Sequence, residues 1–129
     1  MKEILLDTHT FLWWVDDSPK LSIAAKEIIG NMDNSCRLSL VSCWEMAIKC
    51  RSGKLDLAIP LKEYIPRHVA ANGFSLLSIS FRHVIGVETM PLHHRDPFDR
   101  LLAAQTLAEK MLLVSADPAF DRYGVERIW

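Results

Sequence analysis

At 129 residues the chain is long enough for one domain with a core of its own. Half of it is hydrophobic and 24% is charged, an ordinary globular mixture without repeats or low-complexity stretches, and no apolar run nears the roughly 20 residues that span a bilayer. The formal net charge of −1 argues against a protein that coats nucleic acid through bulk electrostatics, and leaves room for one that grips a phosphodiester locally through metal ions.

The first element is Lys2-Glu3-Ile4-Leu5-Leu6-Asp7-Thr8, a short apolar run that stops on a carboxylate. Such a run reads as a buried strand of a parallel sheet, and Asp7 then stands at the carboxyl end, where open α/β sheets keep their ligand crevice. The acidic Met1-Lys2-Glu3 start is no signal peptide, so the expected compartment is the cytoplasm. Thr8 to Val15 predicts a short helix with Phe11, Leu12, Trp14 and Val15 turned inward, broken by Asp16-Asp17-Ser18-Pro19. A second helix begins near Ser22, with Ile23, Ala24, Ile28 and Ile29 as its apolar face and Gly30-Asn31 closing it in the left-handed conformation.

The second strand is predicted over Cys36 to Val41 and is followed by a helix from Ser42 to about Arg51. Ser42-Cys43-Trp44-Glu45 fits a capping box, which by itself explains Glu45. Lys49, Arg51 and Lys54 gather near the helix end, where the dipole favours cations, and a phosphate contact is the functional alternative. Cys36, Cys43 and Cys50 are odd in number and spaced by sevens, which fits neither a disulfide framework nor a zinc site. They read as buried, unreactive thiols. Leu55 to Pro60 connects to a helix over Leu61 to Asn72 that Pro66 interrupts or bends and Gly73 stops.

A third strand follows over Phe74 to Ile79, then a helix from Ser80 to about Glu88. In Met90-Pro91-Leu92-His93-His94-Arg95-Asp96-Pro97-Phe98-Asp99-Arg100, Asp96 is a helix N-cap, Pro97 fits the first helical position and Asp99 the third. That helix runs to about Lys110. Met111 to Val114 is the fourth strand, ending in Ser115-Ala116-Asp117-Pro118. Phe120 and Tyr123 pack a short turn, and Val125 to Trp129 is the last strand. Strands alternating with helices predict a mostly parallel sheet covered on both faces.

Asp7 and Asp117 follow strands, while Glu45 and Asp99 begin helices, so all four acids can converge at one sheet edge. Their gathering is tolerable when cations fill the space, and oxygen-only donors suit Mg²⁺ or Mn²⁺. Such ions serve phosphodiester hydrolysis. Helix-dipole and turn-forming roles explain Glu45, Asp99 and Asp117 equally well, and spacing alone leaves both explanations open.

The segments Leu5-Leu6-Asp7-Thr8-His9, Ser42-Cys43-Trp44-Glu45, His93 through Gln105 and Val114-Ser115-Ala116-Asp117 together resemble the PIN-domain ribonucleases, most of all the VapC-type toxins of bacterial toxin–antitoxin pairs. The resemblance runs from Ile4 to Trp129, and its most specific part is Arg95-Asp96-Pro97-Phe98-Asp99-Arg100. It implies one domain over residues 1–129, an α/β fold built as a three-layer α/β/α sandwich, and a Mg²⁺- or Mn²⁺-dependent endoribonuclease. Asp7, Glu45, Asp99 and Asp117 match the family's catalytic, metal-holding acids. Asp96 stands three residues too early for that role, as a cap and outer group. Thr8 and Ser115 are implied to hydrogen-bond to the acids or to water. Arg95 and Arg100 are implied to hold the RNA backbone or neutralise neighbouring acids. The resemblance further implies a homodimer and a small antitoxin whose segment blocks the crevice.

Two other strand-end-acid enzymes fit less well. A receiver domain needs an acidic pair at the first strand and a late Lys. A haloacid-dehalogenase-like phosphatase needs an Asp where His9 stands. A catalytically inactive RNA- or protein-binding module is the reading from a different class.

Overall fold

The computed structural model describes residues 1–92 and 96–129. Five strands form one sheet: β1 (Glu3–Leu6), β2 (Ser35–Ser39), β3 (Ser75–Leu77), β4 (Leu112–Val114) and β5 (Glu126–Ile128). They lie in the order β3-β2-β1-β4-β5, and every pairing is parallel. Leu6 pairs with Leu38 on one side and Val114 on the other, so the carboxyl ends of the three central strands are level. The chain winds outward from β1 in both directions. The sheet therefore changes direction between β1 and β4, the place where open α/β sheets bind ligands.

Alternation along β1 builds the layers. Ile4 and Leu6 face one side and Leu5 the other, and all three are fully buried. The first side is covered by Phe11 of α1 (Thr8–Val15), Ala25 and Ile29 of α2 (Ile23–Gly30), Met46 of α3 (Leu40–Arg51) and Tyr64 and Ile65 of α4 (Leu61–Ala71). The second is covered by Leu102 and Ala103 of α6 (Pro97–Ala108) and by Phe120 and Tyr123 of a 3₁₀ turn, Pro118–Tyr123. The short helix α5 (Phe81–Gly86) packs on α6. Each buried leucine or isoleucine contributes about 1.5–3 kcal/mol, so β1 anchors both cores at once. No helix among the described residues is long and apolar enough to cross a membrane.

Several local expectations need correction. Helix α3 starts three residues earlier than the Ser42 pattern suggests. Ser39 leaves β2 with extended dihedrals and its hydroxyl accepts from the Val41 N–H at 3.0 Å. Ser42 is thus the third helical residue, buried inside α3, and forms no capping box with Glu45. In α2, Ser22 does cap, which sets Ile23 on the outer side at 77% exposure with Ala24 beside it, and the inward set becomes Ala25, Ile28 and Ile29. That helix ends at Asn31 in an extended rather than left-handed conformation. Helix α4 continues through Pro66 as one element of 11 residues. All three cysteines are free thiols; Cys36 is buried and Cys43 and Cys50 are half-buried. Burial pushes the Cys36 and Cys43 thiols up to about 11.

Candidate active site

Where β1 ends, Asp7 caps α1. Its carboxylate accepts from the Thr10 N–H at 2.8 Å, and its own N–H donates to the Val114 carbonyl of β4 at 3.2 Å. Thr10 Oγ1 donates to the same carbonyl at 2.9 Å, which locks the β1–α1 turn against the end of β4. Asp7 is 8% exposed. Burial pushes its carboxyl above the ordinary range, against hydrogen bonds from Ser115 and Thr10 that pull it down. A buried acid held in this way is disfavoured as an anion unless counter-charge arrives.

The neighbouring residues join Asp7 to two other acids. Thr8 Oγ1 donates to Glu45 Oε1 at 2.8 Å, linking α1 to α3. Glu45 sits in the second turn of α3, 6% exposed, and its Oε2 pairs with Lys49 Nζ one turn on, the favourable Glu-before-Lys spacing. Ser115 is fully buried beyond β4; its hydroxyl bonds to Asp7 and accepts from the Asp117 N–H at 3.1 Å. Asp117 in turn caps the 3₁₀ turn, accepting from the Ala119 N–H at 2.9 Å. From α6, Asp96 caps the helix through the Phe98 and Asp99 N–H groups at 2.8 and 3.4 Å, with Pro97 at the first position and Asp99 in the first turn.

These elements enclose one pit of about 120 Å³, lined by Asp7, Thr8, His9, Glu45, Lys49, Asp96, Asp99, Asp117 and Phe120. Five carboxylates from four separate stretches meet there. The volume admits ions, waters and a phosphate group but no whole nucleotide. A larger groove, about 760 Å³, adjoins the pit through Thr8, His9 and Lys49 and is lined by α1, α4 and the 54–59 connector. Its size is greater, but its lining is mostly apolar, and the pit is where the acids are.

As they stand, no three carboxylate, imidazole or thiol side chains among the described residues are gathered closely enough to share an ion. Glu45 is turned to Thr8 and Lys49, Asp7 to Thr10 and Ser115, Asp96 and Asp117 to their caps. The donor chemistry nonetheless fits a hard divalent cation. It consists of carboxylate oxygens, and among the described residues they are held by hydrogen bonds and by the Glu45–Lys49 ion pair, contacts that a cation can replace.

Arg100 does not line the pit; its Nη2 lies 3.4 Å from the Val87 carbonyl. Arg95, with His93 and His94, falls outside the described residues. Sequence reasoning passed over His9, Lys49 and Phe120 as pit residues. Lys49 was read as a helix-end cation favoured by the dipole, with a phosphate contact as the alternative, and the signal for its pairing was its spacing four residues after Glu45.

Comparison with known proteins places these features in a lineage. The family model described as PIN domain matches residues 4–126. The protein named Ribonuclease VapC22 of Mycobacterium tuberculosis is 29% identical over 120 residues, which cover 91% of this chain and 88% of that one. Among solved structures, VapBC2 of Rickettsia felis bound to a DNA fragment from its promoter superposes with a TM-score of 0.71 at 14% identity, over 98% of this chain and 97% of that one. A toxin–antitoxin complex from Klebsiella pneumoniae gives a TM-score of 0.58 at 15% identity, over 88% and 86%. At these identities the two structures establish likeness of fold.

Proposed function

The chain belongs to the PIN domain family, and from that premise we propose that it is a metal-dependent endoribonuclease, the toxin of a toxin–antitoxin pair. The observation that carries this reading is the meeting of Asp7, Glu45, Asp96, Asp99 and Asp117 in one small pit at the switch point of the sheet. The name of the M. tuberculosis relative, a ribonuclease aligned over nine-tenths of the chain, supports it.

Asp7, Glu45, Asp99 and Asp117 are the residues assigned to hold Mg²⁺ or Mn²⁺. When bound, such an ion activates water and stabilises charge on a phosphodiester. The rest is the work of the chain itself. Thr8 orients Glu45, and Ser115 orients Asp7 while bracing the Asp117 backbone. Asp96 caps α6 so that Asp99 faces the pit, and contributes charge at its rim. Burial excludes bulk water around Asp7 and Glu45 and strengthens every charge interaction there. Lys49 holds Glu45 until a cation takes its place. Arg95 and Arg100 are assigned to the RNA backbone; the 3.4 Å contact of Arg100 with Val87 is weak enough to exchange for a phosphate.

The partners that belong to this reading are an RNA substrate, a second copy of the chain and an antitoxin that closes the pit in the cytoplasm. An arginine entering from the antitoxin would pair with the acids as a cation does.

The test is incubation of the purified protein with structured RNAs in Mg²⁺ or Mn²⁺ and then in EDTA, with cut sites mapped. Discrete products that vanish with EDTA are expected. RNA association without any metal-dependent product overturns the reading in favour of a binding module.

A further inference from the structure

The pit is shaped by how α6, bearing Asp96 and Asp99, sits against α3, bearing Glu45. A buried run of polar contacts, remote from the pit, joins these helices. Ser39 and Gln105 are fully buried and His83 is 1% exposed. Ser39 Oγ accepts from the Val41 N–H as the cap of α3 and donates to Gln105 Oε1 at 2.5 Å. Gln105 Nε2 faces the Ser78 carbonyl and His83 Nδ1, each at 3.3 Å. His83 Nδ1 also accepts from the Ser80 N–H at 3.0 Å, and its Nε2 lies 2.9 Å from Glu109 Oε1. Arg82 Nη2 reaches that same oxygen at 3.0 Å.

These contacts allow a single proton arrangement. The Ser80 N–H can only donate, so Nδ1 is the imidazole acceptor and the ring proton sits on Nε2, directed at the Glu109 carboxylate. The Ser78 carbonyl can only accept, so the Gln105 amide turns its NH₂ to Ser78 and His83 and its oxygen to Ser39. Every donor from Val41 through Ser39, Gln105 and His83 then points toward Glu109, an order in which each bond polarises the next. Inverting the Gln105 amide would set its oxygen against the Ser78 carbonyl and the Nδ1 lone pair.

We propose that Gln105, acting with Ser39, is a positioning residue that fixes the separation of Glu45 from Asp99 and so the affinity of the pit for its cation. The inference rests on the functional reading above. Gln105 follows Asp99 by six residues on α6, and Glu45 follows Ser39 by six on α3, about 9 Å along each helix. At the pit end the helices meet through Trp44 and Phe98, the residues just before Glu45 and Asp99, edge to face at 4.8 Å. Aromatic packing alone permits rocking. The directional bond at the far end removes that freedom, and metal sites need ligands held to about 0.5 Å.

The experiment compares wild type, Gln105→Met, Gln105→Glu, Ser39→Ala and Ser39→Thr. Mn²⁺ binding is measured by calorimetry and RNA cleavage by kcat and KM, at a temperature where circular dichroism shows each protein folded. Gln105→Met is expected to weaken Mn²⁺ binding about 10–100-fold, the range for outer groups that orient metal ligands, and to lower kcat with KM for RNA unchanged. Gln105→Glu keeps an acceptor for Ser39 and is expected to lie between Gln105→Met and wild type. Ser39→Ala weakens binding, and Ser39→Thr, which keeps the hydroxyl, restores it. Should Gln105→Met fail to fold, the Ser39 pair decides the matter alone. Wild-type Mn²⁺ affinity and kcat in a folded Gln105→Met or Ser39→Ala protein overturns the positioning role, whatever happens to its melting temperature. A wild-type protein that binds no Mn²⁺ overturns the functional reading itself, and this inference with it.

Discussion

Asp7 holds two roles in tension. Its side chain caps α1, which favours the fold, yet burial raises its proton affinity. A folded-state value raised above the unfolded one means stability present at low pH and lost as pH rises through the folded value. At neutral pH without metal the ionised group therefore opposes folding. Asparagine caps as well as aspartate and carries no charge. Asp7→Asn is expected to abolish cleavage while melting at or above wild type in EDTA; a folded variant with full activity contradicts the assignment. Thr8 gives a milder case. Thr8→Val removes the hydroxyl that orients Glu45 and keeps the shape, so a loss of about 10–100-fold in kcat/KM is expected, while an unchanged rate would free Thr8 of that role. Glu109 has the opposite sign from Asp7. The His83 N–H, helped by Arg82, holds its carboxyl below the ordinary 4.5 against the effect of burial. That contribution is complete above the unfolded value and disappears as pH falls through the folded one. Urea midpoints of wild type and Glu109→Gln should accordingly differ most at neutral pH and converge in acid.

At the scale of elements, helix starts place most of the site. Asp96 shows how capping and charge can be separated. Asp96→Ala removes the cap of α6 and is expected to destabilise by about 1 kcal/mol in urea denaturation. Asp96→Ser keeps a cap and should retain most of that stability, so any activity it loses reports the carboxylate at the pit rather than the helix. Equal stability of the two variants would show that the cap contributes nothing. The Asp96-Pro97 start was legible because it depends only on local chemistry, a short acceptor followed by a residue without an N–H. The start of α3 was not. Ser39 and Ser42 both precede an apolar helical run, and Ser42-x-x-Glu45 fits a local pattern. Strand pairing decided between them: Leu38 is matched to Leu6, and Ser39, matched to Leu77, is the last strand residue. With the capping box gone, Glu45 loses its bland explanation and is left bonded to Thr8 and Lys49. In α2 the start near Ser22 was read correctly but the face was not: Ile23, the first residue after the cap, turns outward, and Ala25 takes the inward place.

For the whole molecule, the sheet order brings distant residues together. Alternating strands and helices announce a parallel sheet, and a strand-end acid announces an edge. That Asp7 lies beside Ser115 and Asp117 follows from β1 pairing with β4, a crossing of the chain that no local pattern encodes. The same topology concentrates five carboxylates in about 120 Å³, with Lys49 the one basic ammonium or guanidinium side chain among the described residues that line the pit. Burial of Asp7 disfavours its ionised form, so a cation that enters the pit favours the folded state, and stability should be linked to metal concentration. A ligand present at a hundred times its Kd stabilises the folded state by about 2.7 kcal/mol, or about 10 °C of melting temperature for a domain of this size. Titrating Mn²⁺ into metal-free protein should therefore raise Tm progressively, with no plateau at a simple ionic-strength effect, and matched additions of a monovalent salt should not reproduce it. Asp7→Asn should start higher in EDTA and climb much less, so that the two curves approach or cross as metal is added. Parallel curves for the two proteins would mean that the ion binds somewhere other than this pit, and flat curves for both would mean that the pit takes no divalent ion.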